Sequence, residues 1–203
     1  MSSPIYTKSR IVTDRDLAML NRIYDQMSSK RVKRLYNLFY VERRELWPEY
    51  IKEEDKTWWD SFTARMEAAA GLRTYAHYFL EYTPGSFCRK HSDNAAEIGH
   101  TMVTLIDKSD DLDGGESLGF LPHFKKDYHP FDINRYKEGD DENVGNTIMP
   151  VVMHQKIGES LSYDNNFQHG VSLVNKGRRR VLISWFKRDD FDKDNEIKYE
   201  KPD

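Results

Sequence analysis

The chain has 203 residues, with 31 basic and 34 acidic side chains and a formal net charge of −3. This length is enough for one domain with a substantial core, and the near balance of charge argues against a surface that binds phosphate backbones without regard to sequence. The single cysteine, Cys88, excludes an internal disulfide. The N-terminus lacks an apolar run of the signal-peptide kind and no segment is apolar enough to cross a bilayer, so we expect a cytoplasmic protein.

The N-terminal third of the sequence is patterned for helices. Residues 1–12 are predicted to form an arm or an edge strand. Thr13 and Asp16 then have the spacing that begins a helix. The apolar residues that follow at helical spacing are Leu17, Leu20, Ile23, Tyr24 and Met27. A further helix is predicted over residues 57–70, so we expect helical support over residues 13–71.

The part of the chain from residue 72 to 188 is rich in β-forming residues separated by turn signals. Helices first and strands after favour a single domain over residues 1–203, in which one β-sandwich or barrel is buttressed by N-terminal helices. Residues 189–203 are predicted to be a charged, solvated tail. Residues 120–146 are long, polar and aromatic, and we hypothesise that they form part of a substrate lid.

His91 and Asp93 are two positions apart in the stretch Phe-Cys-Arg-Lys-His91-Ser-Asp93. Alternate side chains of an extended chain point the same way, so both can reach one metal from one strand end. Pro84 and Gly85 just upstream indicate a turn. A His-x-Asp tripeptide by itself is more readily a surface or capping pair, but a second imidazole, such as His169, completes the two-histidine, one-carboxylate ligand set of a facial Fe(II) site.

His169 begins the patterned stretch His-Gly-Val-Ser-Leu-Val, and residues 175–177 are a turn signal. A strand from Arg179 follows, and the turn favours pairing the two segments as a hairpin. In that strand Trp185 shares a face with Arg179, while Phe186 lies on the other face, so both faces are expected to be covered.

Arg179 is the candidate for holding an anion, because the planar guanidinium fork can bind a carboxylate bidentately. It shares its strand face with Trp185. Arg178 and Arg180 point the other way and are interpreted as parts of a solvated basic run.

An ordered set of motifs adds a resemblance to a known family. Tyr82 and Gly85 precede His91 and Asp93 at the spacing Tyr-x-x-Gly-x-x-x-x-x-His-x-Asp, and a Gly-Gly-Glu stretch follows. The residues that match the family's closing pattern are His169, Gly177, Arg179 and Trp185. Over about residues 75–188 the chain therefore resembles the iron- and 2-oxoglutarate-dependent dioxygenase superfamily, in its prolyl 4-hydroxylase-like branch.

The resemblance implies a double-stranded β-helix core of the jelly-roll or cupin-like kind. It also implies Fe(II), with 2-oxoglutarate as cosubstrate and ascorbate as a further cofactor. The metal ligands, which are then the catalytic residues, are expected to be His91, Asp93 and His169. The cosubstrate is expected to be bound by Arg179 and Tyr82, and Trp185 is expected to contact the substrate.

The activity implied is hydroxylation of an aliphatic C–H bond by O2, with release of succinate and carbon dioxide. The first candidate substrate is a prolyl or other side chain of a protein or peptide; a free amino acid or small metabolite is the alternative. Related halogenases lack the carboxylate, so Asp93 favours hydroxylation. Nucleic acid is disfavoured as substrate, since the chain is mildly acidic and Trp185 stands where a second arginine is expected. The alternative from a different functional class is that the chain is a catalytically silent binding module.

Overall fold

The structure is a computed structural model that describes residues 6–27, 39–93, 95, 97–122 and 148–188. Its helices are α1 (Asp14–Gln26) and α2 (Lys56–Ala70), with short 3-10 turns at Pro48–Tyr50 and Glu53–Asp55. Its strands are β1 (Tyr6–Ser9), β2 (Phe39–Tyr40), β3 (Glu42–Leu46), β4 (Thr74–Tyr82), β5 (Phe87–His91), β6 (Ile98–Lys108), β7 (Asp113–Gly114), β8 (Ser117–Pro122), β9 (Ile148–Val152), β10 (Ser160–Asp164), β11 (His169–Val171), β12 (Val174–Lys176) and β13 (Arg179–Lys187).

The strands pair antiparallel in two main sheets, and the mainly-β jelly-roll architecture predicted from the sequence is confirmed. The large sheet has the order β1-β10-β6-β13-β4-β3, and the small sheet has the order β2-β5-β11-β8-β9. The short strands β7 and β12 form a separate ribbon. One apolar cluster combines large-sheet residues such as Tyr78 and Val181 with small-sheet residues such as Cys88. The two sheets therefore face each other across this cluster.

Both helices pack on the outer face of the large sheet. A second apolar cluster joins Leu20 of α1 and Phe62 of α2 to Leu182 and Phe186 of β13. Alternate residues of β13, such as Val181, belong instead to the cluster between the sheets. The prediction that both faces of this strand are covered is confirmed, and one face of the strand is left for the site between the sheets.

The N-terminal region is less purely helical than predicted. β1 lies at the edge of the large sheet, as an edge strand was expected to, and pairs with β10. β3 forms the opposite edge by pairing with β4, although its residues Glu42–Leu46 are mostly charged. Charged residues are common on edge strands, where one side of the backbone is unpaired. A strand of this composition lacks the hydrophobic pattern from which strands are predicted.

The predicted hairpin between the His169 and Arg179 segments is wrong. The β11 strand that begins at His169 pairs with β5 and β8 in the small sheet, whereas β13 pairs with β4 and β6 in the large sheet. Gly177 does adopt the left-handed turn conformation, with φ of 76°, but the turn links the ribbon strand β12 to β13. The chain crosses between sheets here because each segment buries its apolar face against a different partner.

Part of the sequence-based account falls outside the described residues. The proposed lid over residues 120–146 is described only to residue 122. The charged tail over residues 189–203 also lies outside the described ranges. Within those ranges, no helix is long and apolar enough to cross a membrane.

Asp16 joins the two helices through buried hydrogen bonds. It forms the predicted capping box with Thr13 at the start of α1. Its carboxylate also accepts from Trp58 Nε1 at 2.8 Å and from Arg65 Nη2 at 2.7 Å, both in α2. Burial raises the pKa of Asp16, but the hydrogen bonds from Thr13, Trp58 and Arg65 outweigh burial, so that the pKa is lowered overall.

We expect Asp16→Asn to lower the free energy of unfolding by about 2 kcal/mol at neutral pH, because charge-assisted hydrogen bonds are lost. A carboxyl group with a lowered folded pKa stabilises the fold above its unfolded pKa of about 3.9, and this contribution disappears as the pH falls through the folded value. Urea denaturation at pH 7 and at lower pH measures both effects. The exposed Asp14, in the same helical turn, is the control: equal losses for Asp14→Asn and Asp16→Asn contradict this account.

Candidate active site

His91 and His169 are brought together by the pairing of two small-sheet strands. His169 at the start of β11 lies directly opposite His91 at the end of β5, and their rings are 4.3 Å apart between centroids. Asp93 follows β5 by two residues. Its Oδ1 is 3.5 Å from His91 Nε2 and its Oδ2 is 3.7 Å from His169 Nε2. One ligand atom from each residue lies within 4.8 Å of the others, the spacing of a metal site.

Hydrogen bonds to backbone carbonyl oxygens orient both imidazoles. Nδ1 of His91 is 2.9 Å from the carbonyl oxygen of Arg89, and Nδ1 of His169 is 3.0 Å from that of Phe167. A carbonyl oxygen only accepts, so each Nδ1 carries the proton that it donates. In the neutral ring, the Nε2 is then the atom with a lone pair, and it is the Nε2 of each histidine that faces Asp93. This is the arrangement of metal-binding histidines.

Burial and mutual charge set the protonation of this cluster. The side chains of His91, Asp93 and His169 are 16%, 10% and 11% exposed. Burial lowers the pKa of both imidazoles, but contacts with Asp93 and Cys88 outweigh it at His91 and raise the pKa there. At His169 burial prevails, with repulsion from His91 adding to it, and the pKa falls. The two shifts differ in sign because one carboxylate can hold only one protonated imidazole; a divalent cation bound by the three ligand atoms would take the place of that proton.

Asp93 is itself held by the large sheet. The Thr101 hydroxyl of β6 donates to Asp93 Oδ2 at 2.8 Å. Burial raises the pKa of Asp93, but the neighbouring imidazoles of His91 and His169 and the Thr101 hydroxyl outweigh it, so the pKa is lowered. The carboxylate is therefore ionised and fixed in orientation, as a metal ligand must be.

Arg179 is a buried cation on the large sheet. Its side chain contacts the Gly115 carbonyl oxygen at 2.6 Å, Ser117 Oγ at 2.6 Å and Gln155 Oε1 at 3.1 Å. The residue is only 4% exposed, and no carboxylate of the described residues forms an ion pair with it. Burial lowers its pKa and outweighs the opposing effects of Tyr82, Tyr163 and Glu116, which reflects the cost of burying the charge. An anionic ligand would remove that cost.

Tyr82 is the direct neighbour of Arg179 across the β4–β13 pair. The guanidinium carbon lies 5.8 Å from the centre of the Tyr82 ring. Burial raises the pKa of the phenol, so its hydroxyl stays protonated and can donate a hydrogen bond to an anion beside Arg179.

All six residues singled out from the sequence line one cavity of about 410 Å³ between the two sheets. His91, Asp93 and His169 lie on its small-sheet side, and Arg179, Tyr82 and Trp185 lie on its large-sheet side. Its walls are otherwise mainly apolar, with Val103, Leu161, Val181 and Ile183 among them. Such walls keep water away from a reactive centre and strengthen the electrostatic interactions inside.

Several residues of the site were not found from the sequence. Arg43 and Tyr78 line the wall beside Trp185, and Tyr163 lies beside His169. Gln155 supports Arg179 from a loop after β9. Arg43 stands in a charged stretch that is typical of solvent-exposed chain, and Gln155 belongs to no motif, so local patterns contain no signal for either.

The interpretation of Arg180 as solvated is wrong. This residue is 4% exposed and donates to Glu81 at 2.8 Å and to Asn21 at 2.8 Å. Its guanidinium also stacks 3.5 Å from the centre of the Tyr24 ring. Arg180 lies on the face of β13 that does not carry Arg179, and α1 covers that face. Arg180 is therefore buried between the helix and the sheet. Arg178 has a side chain that is 43% exposed and pairs with Asp107.

Comparison with solved structures shows which fold this is. A prolyl-4-hydroxylase from Pseudomonas putida matches with a TM-score of 0.58 at 16% sequence identity, over 91% of this chain and 92% of that one. An oxidoreductase of the 2OG-Fe(II) oxygenase family from Burkholderia pseudomallei matches with a TM-score of 0.60 at 14% identity, over 90% and 85%. The chain has the fold of the 2OG-Fe(II) oxygenases. No protein-family model and no curated protein matches the sequence.

The same fold occurs with other chemistry. The epimerase SnoN, solved with Fe3+, alpha-ketoglutarate and nogalamycin RO, matches with a TM-score of 0.58 at 12% identity, over 90% of this chain and 78% of that one. At these identities the likeness establishes the fold, and the reaction has to be argued from the site.

The residues present fit Fe(II) and 2-oxoglutarate. Two imidazoles and one carboxylate form the facial ligand set that leaves open positions on the metal, and their ligand atoms already converge. The buried Arg179, which lacks a counter-ion among the described residues, lines the same cavity and fits the second carboxylate of a dicarboxylic acid.

Proposed function

We propose that this chain is an iron- and 2-oxoglutarate-dependent dioxygenase that hydroxylates an aliphatic C–H bond. The observation that carries the proposal is the pairing of His91 with His169 across β5 and β11, with the Asp93 carboxylate within 3.7 Å of both imidazoles. When bound, Fe(II) and 2-oxoglutarate would activate O2, which is the oxidant: one oxygen atom of O2 enters succinate, formed with carbon dioxide, and the other enters the hydroxylated product.

The chain's own residues bind and position the reactants. His91, Asp93 and His169 hold the metal from one side. Arg179 and Tyr82 hold the distal carboxylate of 2-oxoglutarate by two donors of different kinds, a charged fork and a phenol. The substrate enters from the remaining part of the cavity, where Trp185 contacts it.

The first candidate substrate is a prolyl or other side chain of a peptide, in line with the prolyl-4-hydroxylase that shares the fold. A free amino acid or small metabolite is the second candidate, because another protein of this fold, SnoN, was solved with nogalamycin RO. Ascorbate is proposed as the reductant that keeps the iron in the Fe(II) state.

Turnover of 2-oxoglutarate against a panel of proline-containing peptides, free amino acids and small metabolites tests this function. We expect succinate formation that depends on Fe(II) and is stimulated by at least one compound, together with a product heavier by one oxygen atom. If succinate never exceeds the iron-free background with any compound, the chain is instead a binding module with the fold of an oxygenase.

A further inference from the structure

The cavity contains a second arginine, on another strand of the large sheet. Arg179 and Trp185 are six positions apart on β13, which at about 3.3 Å per residue places them about 20 Å from each other along the strand. Arg43, from the edge strand β3, lines the cavity at the Trp185 end, with its guanidinium carbon 5.5 Å from the centre of the Trp185 ring. A cosubstrate held by Arg179 leaves this end of the cavity to the substrate.

The guanidinium of Arg43 is held flat by stacking. Its central carbon lies 3.8 Å from the centre of the Tyr78 ring, and Tyr78 in turn meets Trp185 edge to face, with ring centres 4.9 Å apart. Stacking uses the face of a guanidinium and leaves the N–H groups at its edge available. Nε of Arg43 lies 2.6 Å from Glu45 Oε1. Among the described residues, no acceptor contacts Nη1 or Nη2.

Trp185 provides a second donor at the same place. Its Nε1 is buried and has no hydrogen-bond partner among the described residues. A buried N–H without an acceptor costs free energy that a ligand acceptor recovers. The charged fork of Arg43 and the unsatisfied indole N–H of Trp185 therefore belong to neighbouring side chains that both line the cavity.

We propose that Arg43 and Trp185 form a subsite for a carboxylate of the substrate. This inference rests on the proposed function and narrows its substrate to compounds with a free carboxylate: an amino acid, another small acid, a peptide C-terminus or an acidic side chain. A planar acceptor with two oxygens matches the free edge of Arg43, and the indole N–H adds a third donor.

Charge balance favours the same assignment. The described residues that line the cavity include two arginines, Arg43 and Arg179, and one carboxylate, Asp93. With a doubly charged dicarboxylate in place, the charges of Fe(II), Asp93 and Arg179 are balanced. Among the described residues, the remaining cation, Arg43, forms an ion pair only with Glu45, whose side chain is 35% exposed. A substrate carboxylate is a better buried partner, and Glu45 is the group with which it competes.

The indole N–H resonance of Trp185 reports this subsite without turnover. The protein is labelled with 15N and loaded with Zn(II) and 2-oxoglutarate, and the resonance is assigned by its loss in Trp185→Phe. Propionate and propionamide are titrated separately; propionamide has an uncharged amide in place of the carboxylate. We expect a saturable shift with propionate and a far weaker one with propionamide. Arg43→Met should weaken propionate binding by about tenfold or more, and Glu45→Gln, which removes the competing carboxylate, should strengthen it.

Three results overturn the subsite: no saturable shift with propionate, an equal shift with propionamide, or unchanged propionate affinity in Arg43→Met. Glu45→Gln keeps the test decisive if Arg43→Met does not fold, since weaker propionate binding in that variant also contradicts the assignment. Failure of the proposed function is seen separately, as the absence of succinate formation in the wild-type protein, and that assay does not involve the indole resonance.

Discussion

Replacing His169 by alanine is expected to abolish Fe(II)-dependent succinate formation. The residue supplies one of the three ligand atoms that converge within 4.8 Å, and it is held for this role by the bond from its Nδ1 to the Phe167 carbonyl. Loss of supporting partners alone weakens metal sites by about tenfold to a hundredfold, and loss of a ligand should exceed that range. Iron binding by equilibrium dialysis and succinate formation should both fall by about a hundredfold or more.

His154 provides the matched control for this variant. It is exposed and belongs to no group of metal-ligating side chains among the described residues. His154→Ala should bind iron and form succinate like the wild type. A His169→Ala protein that is folded, as judged by its thermal midpoint, and still forms succinate would refute the ligand assignment.

Replacing Arg179 by methionine is expected to raise the KM for 2-oxoglutarate by about a hundredfold, with iron binding retained. Methionine preserves much of the buried volume but removes a charged fork that has no carboxylate partner in the described part of the chain. Removing one partner of a buried, hydrogen-bonded charge pair costs about 2–5 kcal/mol, and a hundredfold change in affinity corresponds to about 2.8 kcal/mol. Arg179→Lys, which keeps the charge but not the fork, should be intermediate.

A variant of the neighbouring Arg178 distinguishes a specific role of Arg179 from a general effect of losing a positive charge. Its side chain is 43% exposed and pairs with Asp107 outside the cavity, so Arg178→Met should leave the KM for 2-oxoglutarate close to that of the wild type. Steady-state kinetics at saturating Fe(II) measure both variants. Equal effects of the two substitutions, or loss of iron binding in Arg179→Met, contradict the assignment of Arg179 to the cosubstrate.

Local chemistry made part of the site predictable. The spacing of His91 and Asp93 predicts a shared strand end, and β5 does end at His91. The β-pattern after Arg179 predicts one strand with two covered faces, which the two apolar clusters confirm. These features depend on neighbours within a few residues, and for this reason the sequence alone reveals them.

Pairing between distant segments was not predictable in the same way. A turn signal before Arg179 favours a hairpin, but the partner of His169 is His91, in a strand 78 positions earlier. The partner of a strand is decided by burial against the rest of the fold, and the turn at Gly177 is compatible with either outcome. Arg180 became internal for the same reason: a helix from the other end of the chain covers its face.

Arg43 shows how a substrate-side residue can escape motif-based reasoning. Its stretch, Glu42–Leu46, has the composition of solvated chain, and only the pairing of β3 with β4 places it on the cavity wall. The residues proposed to bind metal and cosubstrate lie in motifs because their geometry is shared by one chemistry. Residues that recognise the substrate differ with the substrate, and they become visible only once the cavity is built.

The most direct test of the central claim is the visible absorption spectrum after Fe(II) and 2-oxoglutarate are added to the protein without oxygen. Chelation of 2-oxoglutarate to iron held by His91, Asp93 and His169 predicts a charge-transfer band that requires both additions and is absent in His169→Ala. If the wild-type protein binds neither component and shows no band, the chain is not a dioxygenase of this kind, and the cavity serves a binding function instead.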